Sequence, residues 1–143
     1  METPQSLINK SILIIDDQSS ILNLTRSYLT HAGFKNLTTC TESALAIKIL
    51  EEKSFDLIIC DWNMPKYDGL DVLAVAKKNE KHTGKFLMMT SNSETPKVKT
   101  AIQSGVDGYL IKPFQIGKLV NWTLKLLKPT PQNAVKKVSN GTQ

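Results

Sequence analysis

Asp61 closes the apolar run Leu57-Ile58-Ile59-Cys60 and precedes Trp62-Asn63-Met64-Pro65, so it falls where a buried strand gives way to a loop. A second acidic pair, Asp16-Asp17, follows Ile12-Leu13-Ile14-Ile15 in the same manner. Phe86-Leu87-Met88-Met89 ends in Thr90, and Gly108-Tyr109-Leu110-Ile111 ends in Lys112-Pro113. In an open parallel sheet the carboxyl ends of the strands face one crevice, where ligands bind. Three carboxylates, a hydroxyl and an ammonium would meet there. That set suits a divalent cation held by hard oxygen ligands and a phosphoryl group whose charge the cation and the lysine offset.

The elements that would carry these residues follow from alternating apolar runs and amphipathic stretches, repeated five times, which is the pattern of βα units. The sequence predicts strands at about Ser11–Ile15, Leu37–Cys40, Leu57–Cys60, Phe86–Met89 and Gly108–Ile111. Continuous apolar runs such as Leu57–Cys60 are expected of strands covered on both faces. Helices are predicted at about Ser19–His31, Glu42–Glu52, Leu70–Lys78, from Pro96 to before Gly105, and at Ile116–Lys128. Ser19 or Ser20 is the expected N-cap of the first helix and Gly33 its terminator. Ala44, Leu45, Ile47 and Ile49 would supply the apolar surface of the second. Asp68-Gly69 reads as a turn, and the fourth helix is expected to have Thr95 as its N-cap and Pro96 at its first helical position. On the fifth helix Ile116, Leu119, Val120, Thr123, Leu126 and Leu127 form one inward stripe.

Composition sets the outer bounds. The 143 residues suit one domain, with 41% hydrophobic and 22% charged residues being ordinary for a globular protein. No apolar run reaches the ~18–20 residues of a membrane span. The first ten residues lack the basic start and apolar core of a signal peptide. Cys40 and Cys60 lie in apolar strand segments, where reduced core thiols are expected. These features point to the cytoplasm, without membrane insertion. The net charge of +5 comes from lysines scattered over several helices and the tail, and no DNA-binding module is visible, so no nucleic acid is expected as a partner. The organisation expected is an N-terminal extension over 1–9, one domain over 10–128, and a polar, disordered tail over 129–143.

The acidic pair after strand one, Asp61 after strand three, Thr90 after strand four and Lys112-Pro113-Phe114 after strand five together resemble the receiver domain of bacterial two-component response regulators. The segment Asp61-Trp62-Asn63-Met64-Pro65, with Asp68-Gly69-Leu70, resembles the stand-alone, CheY-like chemotaxis branch. The resemblance implies a doubly wound, flavodoxin-like α/β fold with strand order 2-1-3-4-5. It implies Asp61 as phosphoacceptor and Mg²⁺ as cofactor, with Mn²⁺ as a substitute. Asp17 and Asp61 would be direct ligands, Asp16 would act through water, and Asn63 would offer its backbone carbonyl. Lys112 and Thr90 would bind the phosphoryl group, Tyr109 would rotate as part of the switch, and the Lys112–Pro113 peptide would be cis. Asn63 and Asn92 would flank the path of hydrolytic water, Asn92 standing where the branch carries a carboxylate. The expected partners are a histidine kinase or histidine phosphotransfer protein and a downstream effector, with the chain a monomer or a phosphorylation-dependent dimer. It would not be an enzyme in its own right, although it assists its own phosphorylation and dephosphorylation.

Each residue alone has a plainer explanation as a cap, turn or solvated side chain, Asp16 as a cap of the first helix among them. Trp122, flanked by Lys118 and Lys125, is either partial packing at the edge of the fifth helix or an anchor for a partner beside Tyr109. The output is either effector binding or onward transfer of the phosphoryl group as a relay intermediate or phosphate sink. A haloacid dehalogenase-type phosphohydrolase also uses Mg²⁺ and a strand-end Asp, but it carries a second Asp two residues later, where this chain has Asn63.

Overall fold

The computed structural model describes residues 3–82, 84–91 and 95–129, with backbone alone for 95–98. The chain runs β1 (Ile12–Ile15), α1 (Ser19–His31), β2 (Leu37–Cys40), α2 (Ser43–Glu52), β3 (Leu57–Asp61), α3 (Gly69–Lys78), β4 (Lys85–Thr90), α4 (Thr95–Gln103), β5 (Gly108–Ile111) and α5 (Ile116–Leu127). All strand pairings are parallel, and the sheet order is β2-β1-β3-β4-β5, the doubly wound arrangement. Among the described residues, no helix is long and apolar enough to cross a membrane.

Strand side chains alternate between faces, which divides the core in two. Ile12, Ile14, Leu57, Ile59, Leu87, Met89 and Leu110 pack with α1 and α5. Leu13, Ile15, Ile58, Cys60, Phe86 and Met88 pack on the other face with α2 and α3. Every residue of β1 and β3 is therefore buried, as expected for central strands of a sheet covered on both sides.

Several local readings change. β1 starts at Ile12, because Ser11 instead closes a clip with Asp56: its N–H and hydroxyl donate to Asp56 Oδ2 at 2.8 and 3.1 Å. The N-cap of α1 is Gln18, without a side-chain cap bond, so neither Ser19 nor Ser20 fills that role. Asp16 accepts from the Gln18 N–H at 2.9 Å, satisfying a donor just ahead of the helix rather than capping it. Gly33 does end α1, with φ +107, as Phe34 N–H donates to Leu29 O and Gly33 N–H to Thr30 O.

In α2 the buried positions are Ser43, Ala46 and Leu50, while Leu45 is exposed and Ile47 and Ile49 are half-buried. The inward face is rotated from the expected one, to 43-46-50, where the helix packs against α3 and β2. Asp68 is more than a turn residue: it caps α3 and forms a capping box with Asp71. α4 is helical from Thr95 itself. On α5, Leu124 joins the buried set whereas Ile116 lies exposed at the helix start.

The described residues ahead of β1 pack onto the domain. Leu7 is 3% exposed and sits in the α1–α5 core beside Phe34. Its neighbours bind the end of α1 and the following loop, through Thr3 Oγ1 to Ala32 O and Lys35 N–H to Ile8 O. Cys40 and Cys60 are free and buried. They lie in register on either side of Ile15, so about 9.6 Å separates them, beyond disulfide reach.

Candidate functional site

The carboxyl ends of β1, β3 and β5 converge on a cleft of about 340 Å³ lined by Asp17, Gln18, Ile21, Asp61, Asn63, Ser91, Lys112 and Pro113. One carboxylate oxygen each from Asp16, Asp17 and Asp61 lies within 4.8 Å of the others. Asp16 is fully buried, Asp61 is 5% exposed, and Asp17 faces solvent. Lys112 Nζ lies 2.7 Å from Asp16 Oδ2 and 3.3 Å from Asp61 Oδ1, so one ammonium bridges the two buried carboxylates. The Lys112–Pro113 peptide is cis.

The electrostatics reflect three acids beside one base. Burial pushes the Asp61 carboxyl up from 3.8 to about 6, the Asp16 charge adds to this, and Lys112 opposes it. An anionic Asp61 in this cleft is under-compensated, a state that a further cation relieves. Oxygen donors at short mutual range fit a hard divalent ion better than a soft one, and no sulfur or imidazole enters the group.

Thr90 is 1% exposed at the end of β4, and its carbonyl accepts from the Lys112 N–H at 2.8 Å. Its side chain shares a hydrogen bond with Tyr109. The Tyr109 ring meets buried Trp62 edge-on, at 6.4 Å between centroids and 87° between planes. A chain of contacts thus runs from the residue after Asp61, through Tyr109, to Thr90.

Trp122 is not part of that chain. Gly108 and Tyr109 are successive strand residues and point to opposite faces. Trp122 covers the Gly108 face, where a Cβ would fall 2.7 Å from its ring, and Tyr109 lies on the α4 side. The two aromatics therefore flank the edge strand β5 from its two faces, Tyr109 on the α4 side and Trp122 on the α5 side. Lys125 Nζ stacks 5.0 Å from the Trp122 ring centroid, and Lys118 is exposed. Asn92 lies outside the described residues. Ser91 and Gln18, which line the cleft, were not singled out in the sequence; the one sequence signal for them is adjacency to Thr90 and to the acidic pair.

The chain matches the response regulator receiver domain over residues 12–123. It belongs to that family. Among curated relatives, this receiver is 34% identical over 119 residues to chemotaxis protein CheY-3 of Vibrio cholerae, covering 80% of this chain and 91% of the relative. It is 35% identical over 105 residues to CheY of Pseudomonas aeruginosa, covering 72% and 84%. Among solved structures, Vibrio cholerae CheY4 superposes with a TM-score of 0.75 at 28% identity, covering 83% of this chain and 99% of that one. A CheY-like receiver from Methanospirillum hungatei gives 0.75 at 25% identity, covering 83% and 94%. The receiver is thus a signalling module of the two-component kind, with a CheY-like fold and an acidic cluster able to hold a metal ion.

Proposed function

We propose that Asp61 is the phosphoacceptor of a Mg²⁺-dependent switch that accepts its phosphoryl group from a histidine kinase or histidine phosphotransfer protein. The observation that carries this reading is one ammonium bridging two buried carboxylates, with a third carboxylate inside 4.8 Å. Asp17 and Asp61 would hold the ion directly, Asp16 would act through water, and the Asn63 backbone carbonyl would complete the protein's share. A bound Mg²⁺ supplies positive charge that offsets the phosphoryl oxygens and aligns them for in-line transfer.

An Asp61 carboxylate oxygen attacks phosphorus, the new O–P bond forms as the histidine N–P bond breaks, and the imidazole leaves with the electron pair. Lys112 already stands 3.3 Å from Asp61 Oδ1 and can follow the new charge as Asp61 becomes an acyl phosphate. Thr90 would exchange its bond to Tyr109 for one to a phosphoryl oxygen, and Tyr109 would re-pack against Trp62. Re-packing at β5 changes the surface shown to an effector, which is a population shift between two states. Chemotaxis is the pathway suggested by the CheY relatives, with onward transfer to a histidine the alternative output.

The test is intact-mass spectrometry after treatment with Mg²⁺ and a small acyl-phosphate donor. One labile phosphoryl adduct is expected on the wild type and none on Asp61→Asn. An equal adduct on the variant would end the reading.

A further inference from the structure

We infer that Ser43 is a positioning residue for the cation site, acting through the β3–α3 loop; the inference rests on reading the acidic cleft as a Mg²⁺ site. Ser43 opens α2, is 4% exposed, and shares its inward face with Ala46 and Leu50. A hydroxyl among apolar neighbours needs partners, and Ser43 finds two on the loop that follows Asp61. Its Oγ donates to Pro65 O at 2.9 Å and accepts from the Tyr67 N–H at 3.3 Å. A hydroxyl can do both at once, which a methyl cannot.

The stretch it grips is strained. Tyr67 N–H also donates to Pro65 O at 2.9 Å, and Lys66 between them has φ 75, so the chain makes a γ-turn with a left-handed lysine at its centre. A non-glycine residue persists there only when its surroundings over-determine it. The loop ends are fixed independently. Gly69 N–H donates to Trp62 O at 2.8 Å, and the Asp68–Asp71 capping box seats the start of α3. Ser43 supplies the tie from α2 to the middle of the loop.

Asn63 lines the cleft two residues before Pro65, between the fixed end at Trp62 and the point that Ser43 holds. Asp61 is a residue of β3 itself and is placed by the sheet. Loss of the Ser43 hydroxyl should therefore loosen the Asn63 side of the cleft while leaving the carboxylates in place. Mg²⁺ demands near-ideal octahedral geometry, so its affinity is sensitive to a loosened backbone ligand and to the groups that orient ligands.

The experiment compares the full ¹⁵N-labelled chain with Ser43→Ala and Ser43→Thr. Amide hydrogen exchange is read in EDTA, and Mg²⁺ affinity is read from amide shifts on titration with the metal alone. For Ser43→Ala, the Tyr67 amide should exchange about three- to tenfold faster, and the Mg²⁺ dissociation constant should rise about three- to tenfold. Ser43→Thr keeps the hydroxyl and should stay close to wild type in both readouts. A wild-type Mg²⁺ affinity in Ser43→Ala would overturn the inference, leaving Ser43 as packing and the cation reading intact. Absence of any saturable Mg²⁺ response in the wild-type protein would overturn the cation reading and this inference with it.

Discussion

Asp61→Asn should make the metal-free protein more stable at neutral pH. In the folded chain the Asp61 carboxyl is raised from 3.8 to about 6, mainly by burial and then by Asp16. The folded state therefore binds a proton that the unfolded state has already released between these two values. Stability falls as pH rises through that window, and the cost of holding Asp61 ionised is complete above pH 6. A shift of this size corresponds to about 3 kcal/mol at full weight. Solvent at the mouth of the cleft screens part of it, so the expected gain from the isosteric amide is about 1–2 kcal/mol. Lys112 keeps its 2.7 Å partner Asp16 in the variant, so no buried charge is orphaned. The assay is urea unfolding in EDTA from about pH 4 to 8, comparing both proteins at each pH. The variant should gain at pH 7, and the gap should close toward pH 4, where the wild-type carboxyl is neutral in the fold. Added Mg²⁺ should stabilise the wild type more than the variant, since binding to the native state alone adds stability. A variant that is less stable at pH 7, or a gap that does not change with pH, would refute the reasoning.

Lys112→Met should cost about 3 kcal/mol in EDTA at pH 7, because Asp16 and Asp61 then lose their shared counter-charge in a buried site; Mg²⁺ should recover part of the loss in a urea titration. Leu7→Ala should lower stability by about 2–4 kcal/mol, as expected for a side chain 3% exposed in the α1–α5 core, and a urea midpoint measures it. Gly108→Ala should cost about 1–3 kcal/mol, because its Cβ would fall 2.7 Å from Trp122 and 2.9 Å from Leu87; the displaced indole should appear as a shift in the Trp122 emission in a Trp62→Phe background.

Much of the fold could be read from period and punctuation. The runs at Ile12–Ile15 and Leu57–Cys60 are uninterrupted because each strand is buried on both faces, and that pattern survives in one dimension. Gly33 could be assigned because a helix terminus needs a left-handed residue, and glycine takes that conformation at least cost. Helix faces were harder. Ala44, Leu45, Ile47 and Ile49 are all apolar, so hydropathy alone gives α2 no unique phase. The elements it packs against choose 43-46-50 and leave Leu45 in solvent.

The site divides along the same line. Residue types at strand ends were enough to nominate Asp16, Asp17, Asp61, Thr90 and Lys112, because parallel strands must open at one edge. Their couplings needed the fold. Nothing in the sequence says that Lys112 spans Asp16 and Asp61, that Tyr109 binds Thr90 and meets Trp62, or that Trp122 lies across the sheet from Tyr109. Leu7 and Ser43 make the point most directly. One lay in a stretch read as an extension, and the other was a polar residue at the start of a helix. Leu7 is core because the chain ahead of β1 lies against the end of α1, and Ser43 meets Pro65 and Tyr67 because α2 begins beside the β3–α3 loop. Local periodicity records which side of an element is buried. It does not record what another element, 22 residues away in the case of Ser43 and Pro65, brings to that side. Tertiary packing makes that choice by pairing groups that are distant in sequence, and the buried hydroxyl is satisfied only once the pairing exists.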